Sequence, residues 1–203
     1  MQVVLASGSP RRLDLLRQIG IHPVVLVSHA EEVKNAAAPE EVVWENARRK
    51  GRNVIPLCGA DTLVIAADTI VAIDGKILGK PKDAADAASM LRRLSGRTHQ
   101  VYTGLYVAFH GQETLSVTAT EVTFYPLDED QIHRYIASGE PLDKAGAYGI
   151  QGRAACFIPS IKGSYSNVVG LPVAALYTAL KELDVTINDT LYDQGHGTGG
   201  KTS

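Results

Sequence analysis

Cysteine is scarce. Two residues, Cys58 and Cys156, stand far apart in a chain of 203, which excludes a disulfide framework and a thiolate zinc site. They read as buried thiols of a reducing cytosol, or as one isolated bridge. No apolar run approaches the ~18 residues of a membrane span. No basic segment followed by a long apolar stretch marks a secretory signal. An excess of one charge is missing too: 20 Lys and Arg against 22 Asp and Glu leave a formal net charge of −2. The pI is about 6.3, so no global field favours DNA or RNA, and any phosphate must be held in a local pocket. Solenoid-period repeats are absent as well.

What is present is ordinary for a soluble globular protein: 45% hydrophobic and 21% charged residues, enough for one large domain or two small lobes. Val3 to Leu5 reads as a short buried strand, broken by Ser7-Gly8-Ser9. Pro10 then takes the first position of a helix that buries Leu13, Leu15, Leu16 and Ile19 and stops at Gly20. A second strand is expected over Val24 to Val27, and a helix from Pro39 with Arg48-Arg49-Lys50 at its basic end. Leu63 to Ala67 reads as a buried strand, and Asp74-Gly75 as a hairpin turn between Ile70–Ile73 and Ile77-Leu78. Pro81 and Asp83 open a helix that ends before Gly96. Two long strands, His99 to Phe109 and Thr114 to Tyr125, follow with a turn at His110 to Glu113, then a helix over Asp128 to Ala137. The glycine-rich stretch 145–152, short strands around Cys156 to Ile158 and a last helix opened by Pro172 complete the folded part. The domain is expected to span 1–188. A tail over 189–203, rich in Gly, Thr and His from Gln194 onward, is expected to be disordered. Alternating strands and helices with a long hairpin predict an α/β fold with a mixed sheet, whose ligands bind beyond strand C-termini.

Chemistry concentrates at the first strand–helix junction. Backbone N–H groups, serines, Arg11 and Arg12 meet where a helix N-terminus attracts phosphate, although solvated arginines on a plain turn fit equally well. Ala-Asp-Thr occurs twice, at Ala60–Thr62 and Ala67–Thr69. Asp61 precedes the apolar run and Asp68 follows it, so Asp68 is the functional carboxylate and Asp61 a surface residue. Mg²⁺ is usually held by one or two carboxylates plus substrate phosphates, which Glu32 and Asp68 can supply. Glu31-Glu32 otherwise reads as a solvated acidic loop. Lys80 either meets a phosphate or flanks a helix start, and Lys50 reads as a helix-end lysine. The Gln151 amide suits a nucleobase edge.

Several stretches together resemble the Maf family: Leu5-Ala6-Ser7-Gly8-Ser9-Pro10-Arg11-Arg12, Asp68-Thr69, Gly79-Lys80-Pro81, His99 to Gly104, Asp143 to Gly146 and Asn167 to Pro172. The likeness covers about residues 3 to 184. It implies the elongated α/β fold shared with inosine triphosphatases, two lobes about an active-site cleft, often as a homodimer. It also implies a cytoplasmic nucleoside triphosphate pyrophosphatase using Mg²⁺ or Mn²⁺, with Asp68 as base or metal ligand. Ser7, Arg12, Glu32, Lys50 and Lys80 would line the triphosphate and metal site. Arg11, Thr69 and Gln151 match the specificity positions of the dTTP/UTP branch, whereas the 7-methyl-GTP branch carries Trp and Glu at the first and last. Ala66 and Gly51 depart from the glycine and alanine common there. The family's link to septum formation implies an alternative, a nucleotide-binding regulator that needs no turnover.

Overall fold

One strand, β3 (Thr62–Ile73), runs the length of the sheet and decides where the other elements sit. The computed structural model describes residues 1–34, 36 and 38–186. The expected disordered tail lies outside them. The other strands are β1 (Gln2–Leu5), β2 (Val24–Val25), β4 (Lys76–Leu78), β5 (Thr98–Phe109), β6 (Gln112–Thr123) and β7 (Ser160–Lys162). They form a mixed seven-stranded sheet in the order β2-β1-β3-β5-β6-β7, with β4 also paired to β3. β1 is parallel to β2 and β3, and the remaining pairs are antiparallel. Helices α1 (Pro10–Gln18), α2 (Pro39–Val54), α3 (Ala84–Leu94), α4 (Glu129–Ala137), α5 (Tyr165–Val169) and α6 (Val173–Glu182) complete the α/β architecture.

Local chemistry explains the ends of these elements. The β5–β6 turn needs two left-handed residues, and His110 (φ 47°) and Gly111 (φ 79°) supply them. Asp83 caps α3 by accepting the Asp86 N–H at 2.8 Å, so that helix begins after Pro81 rather than at it. Asp128 and Gln131 form a reciprocal capping box on α4.

Four expectations fail in instructive ways. β2 is only two residues long, not four. β3 does not stop at Ala67 but continues through Asp68-Thr69 to the hairpin. Residues Arg153–Phe157 form a 3₁₀ turn instead of a strand, which leaves Cys156 exposed; Cys58 is half-buried and both thiols are free. Lastly, α2 does not end at its basic triplet. It continues past Gly51, because that glycine is buried against β5 rather than terminating the helix.

Period-two alternation along β3 sorts its side chains onto two faces. Leu63, Ile65 and Ala67 join Leu105, Val107 and residues of α1 and α6 in one core. On the same face Val71 and Ile73 belong to another core, built with α3 and α4. Between these cores lies a polar seam, Thr69 opposite Thr103. The other face carries Val64, Ala66 and Ile70, and α2 covers it. That helix approaches closely at two glycines: a Cβ on Gly104 would lie 2.2 Å from the Val43 carbonyl oxygen, and one on Gly51 would lie 2.1 Å from the Tyr106 ring.

The core around α3 and α4 holds a titratable group. His99 is 2% exposed and packs edge-on against Phe124 and Tyr148. Its Nε2 lies 2.8 Å from the Tyr148 hydroxyl, and its Nδ1 is buried without a hydrogen-bond partner among the described residues. Burial pushes the imidazole pKa down from 6.5 to about 4. The unfolded chain therefore binds the extra proton between those values, so the stability contribution is complete above pH 6.5 and is lost as pH falls through 4. Its size is about 3 kcal/mol. Urea unfolding from pH 7 to pH 4 should show a steeper fall in stability for the parent than for His99→Gln. Equal slopes would assign acid sensitivity elsewhere.

Candidate active site

Along one edge of β3 the sheet has a notch. β1 pairs with β3 only as far as Leu5 opposite Ile65, and β4 begins pairing at Val71. Asp68 and Thr69 lie in the gap and point to opposite faces of the strand. Asp68 thus meets the requirement for a site beyond a strand's C-terminal end, but the strand that ends is β1, not its own. Asp61 is a surface residue as expected, 62% exposed and 2.9 Å from the Met1 ammonium, which holds its carboxyl below the usual range.

On the face toward α2, Asp68 is 8% exposed. Gly104 is its cross-strand partner, and the close helix contact there brings Asn46 and Lys50, one helical turn apart, over the carboxylate. Lys50 Nζ lies 2.6 Å from Asp68 Oδ1 and 2.7 Å from Glu32 Oε1. Lys50 is therefore not a helix-end lysine: Arg48 and Arg49 turn outward to Glu45, and Lys50 turns inward. Asn46, which the sequence reading missed, donates to Asp68 Oδ2 at 3.0 Å. Among the described residues no group of three or more His, Cys, Asp or Glu side chains is placed to hold a metal unaided.

Thr69 faces Arg12 on the other side. The guanidinium donates through Nε to the Gly170 carbonyl (2.7 Å), through Nη1 to Ser7 Oγ (2.9 Å) and through Nη2 to Thr69 Oγ1 (3.0 Å). Among the described residues three of its five N–H groups are used, which leaves two for a ligand. Burial lowers its pKa, opposed by the nearby Asp68 and Glu32 carboxylates, and an arginine so placed stays cationic. Ser7 also accepts the Ser9 N–H at 3.2 Å, and the side chain of Ser9, the residue at the cap position, makes no capping hydrogen bond to α1 among the described residues. The first-turn amides remain available to an anion.

The Asn167 to Pro172 stretch is explained by what it holds. Asn167, fully buried, donates to the Val101 carbonyl (3.0 Å) and Thr120 Oγ1 (2.9 Å), and its own carbonyl accepts from Thr103 (3.1 Å). Thr103 in turn lies 2.9 Å from the Thr69 hydroxyl. This pins α5 on the sheet and presents the Gly170 carbonyl, at φ 125°, to Arg12.

Arg11 reaches Asp143 at 3.4 Å, tying α1 to the turn just ahead of the glycine-rich loop. The glycine-rich loop is fastened to the segment after β4 by Gly146 N–H donating to the Gly79 carbonyl (3.1 Å). Lys80 and Gln151 are exposed on these two segments and form no hydrogen bond with other described residues. Ser7, Arg12, Glu32, Lys50, Asp68 and Thr69 thus converge, while Arg11, Lys80 and Gln151 line exposed segments linked to the site.

Residues 2–183 match the model of the family described as Maf-like protein. The chain belongs to that family. Maf-like relatives named dTTP/UTP pyrophosphatase include one from Agathobacter rectalis, 47% identical over 92% of this chain and 99% of the relative. Another, from Symbiobacterium thermophilum, is 53% identical over 85% of this chain and 89% of the relative. A third, from Bacillus velezensis, is 48% identical over 91% and 97%. The Staphylococcus aureus Ham1 protein structure shares the fold, with a TM-score of 0.54 at 14% identity, covering 90% of this chain and all of that one. No helix among the described residues is long and apolar enough to cross a membrane.

Proposed function

We propose that this Maf-like protein hydrolyses dTTP and UTP to the nucleoside monophosphate and pyrophosphate, with a divalent cation, as a cytoplasmic house-cleaning enzyme. The observation that carries the reading is the convergence of Glu32 and Asp68 on one cation, the Lys50 ammonium, across the sheet edge from Arg12. The names of relatives at 47–53% identity support the substrate.

The donor set fits Mg²⁺ or Mn²⁺. It consists of carboxylate oxygens that already converge on a positive centre, and Mg²⁺ takes one or two carboxylates and completes its shell with water and substrate phosphates. Glu32 and Asp68 would hold it. When bound, it neutralises phosphate charge at the reacting phosphorus.

The chain's own groups do the rest. Arg12 and the α1 amides bind phosphate oxygens and orient the triphosphate. Lys50 adds positive charge beside the carboxylates, and Lys80 is assigned to the polyphosphate. Asp68 accepts a hydrogen bond from the attacking water and takes its proton as the oxygen bonds to the α-phosphorus. The α–β bridging bond breaks and its electrons leave on pyrophosphate. Arg11, Thr69 and Gln151 are assigned to base selection; Thr69 does so through Arg12, which its hydroxyl contacts.

Pyrophosphate release from a panel of nucleoside triphosphates tests this reading. dTTP and UTP should be turned over at least ~10-fold faster than purine nucleotides, a gap of about 1.4 kcal/mol. Equal rates on purines would overturn the substrate assignment, and no release from any nucleotide would overturn the enzyme.

A further inference from the structure

Asn46 stands out among the buried groups to which no role is yet given. It is 3% exposed in the third turn of α2, on a stripe otherwise made of Val42, Val43, Ala47, Gly51 and Val54. An amide on such a face is costly unless fully bonded. Its bonds are specific. Oδ1 accepts the Val33 N–H at 2.7 Å, and Nδ2 donates to the Val33 carbonyl at 2.9 Å and to Asp68 Oδ2 at 3.0 Å. The network also fixes the amide's orientation, since the flipped form would face its oxygen to two acceptors.

Val33 directly follows Glu32, in a segment without regular secondary structure. Lys50 holds the Glu32 side chain and Asp68 Oδ1, while Asn46 holds the backbone beside Glu32 and Asp68 Oδ2. The contacts close a ring: Asp68, Lys50, Glu32, Val33, Asn46 and back to Asp68. The ammonium reaches a carboxylate that is itself half exposed, so it does not fix where the loop runs. The two-point backbone clamp does.

Resting on the function proposed above, we infer that Asn46 is a positioning residue that sets the spacing and orientation of the Glu32 and Asp68 carboxylates as a divalent-cation pair. It touches neither substrate nor metal. Outer-shell partners of this kind typically change metal affinity ~10–100-fold when removed.

The test uses Asn46→Leu, branched at the same carbon but unable to hydrogen-bond. Two readouts need no turnover. Mn²⁺ affinity is measured by loss of the free-ion EPR signal, with the full chain and a UTP analogue whose α–β bridge is a methylene. Exchange of the Val33 amide is measured by NMR. We expect Mn²⁺ affinity to fall at least ~10-fold and Val33 exchange to rise by a similar factor. In steady state, the Mg²⁺ concentration for half-maximal activity rises while the nucleotide KM at saturating Mg²⁺ changes less than ~3-fold. If Asn46→Leu does not fold, Asn46→Ala carries the same comparison. A folded variant with parental Mn²⁺ affinity overturns the inference, even if its melting temperature drops. A parent that turns over no nucleotide, with Mn²⁺ affinity still reduced in the variant, sinks the proposed function and leaves the role of Asn46 standing.

Discussion

Asp68→Asn is expected to lower pyrophosphate release from dTTP and UTP by at least ~10²–10⁴-fold, the loss typical of a general base. The side chains are nearly isosteric, yet the exchange is not silent structurally. Asp68 accepts from Lys50 at one oxygen and Asn46 at the other, and an asparagine has one oxygen. Its NH₂ must face a donor, at a cost of about 1–3 kcal/mol for the mismatched contact. The melting temperature should therefore drop, but nucleotide binding through Arg12 and the α1 amides should persist. Asp61→Asn is the control. That carboxylate is exposed, and surface ion pairs contribute little. Rates for the two variants at saturating Mg²⁺ decide the matter. Loss in both, or in neither, would remove Asp68 from the chemistry. A parent that binds nucleotide tightly and never hydrolyses it would favour the regulator.

Lys50→Met is expected to reduce kcat at least ~10²-fold, the effect of removing one preorganised charge at a reacting centre. Its stability signature is more diagnostic than its rate. Without the ammonium, Glu32 and Asp68 lose the one cation that both contact directly among the described residues. Breaking a mostly buried pair typically costs ~3 kcal/mol, and the exposure of Glu32 places this case at the low end. A divalent cation can replace the missing charge. Thermal melts with and without Mg²⁺ should therefore show a larger stabilisation by the cation in Lys50→Met than in the parent. Equal Mg²⁺ shifts would mean that the two carboxylates do not share a cation.

Much of this was legible in the residues, for reasons that differ by element. Pro10 and Gly20 bracket α1, and Asp74-Gly75 and His110-Gly111 mark their hairpins, because each is a local requirement met by local chemistry. Asp68 is separable from Asp61 by sequence, yet the physical reason is non-local. It lies in mid-strand, and the site exists because β1 and β4 leave a notch beside it. Lys50 misleads for a related reason. Gly51 resembles a helix stop, and only the Tyr106 ring against it shows that it is a packing position. Asn46 carried a signal that went unread: it lies on the apolar stripe of α2, four residues before Lys50. The Gly170 carbonyl carried none, since a backbone oxygen is anonymous until the fold aims it.

The alternation of Asp68 and Thr69 has a bearing on how such a chain can change over time. Neighbouring strand residues face opposite ways, so the carboxylate over α2 and the hydroxyl against Arg12 are interlocked by parity. Described loops that carry none of the site residues can gain or lose residues without disturbing the centre. A one-residue insertion or deletion in β3 ahead of Asp68 would turn the carboxylate toward Arg12 and the hydroxyl toward Lys50 at a stroke. That strand can drift in composition, but its length is frozen.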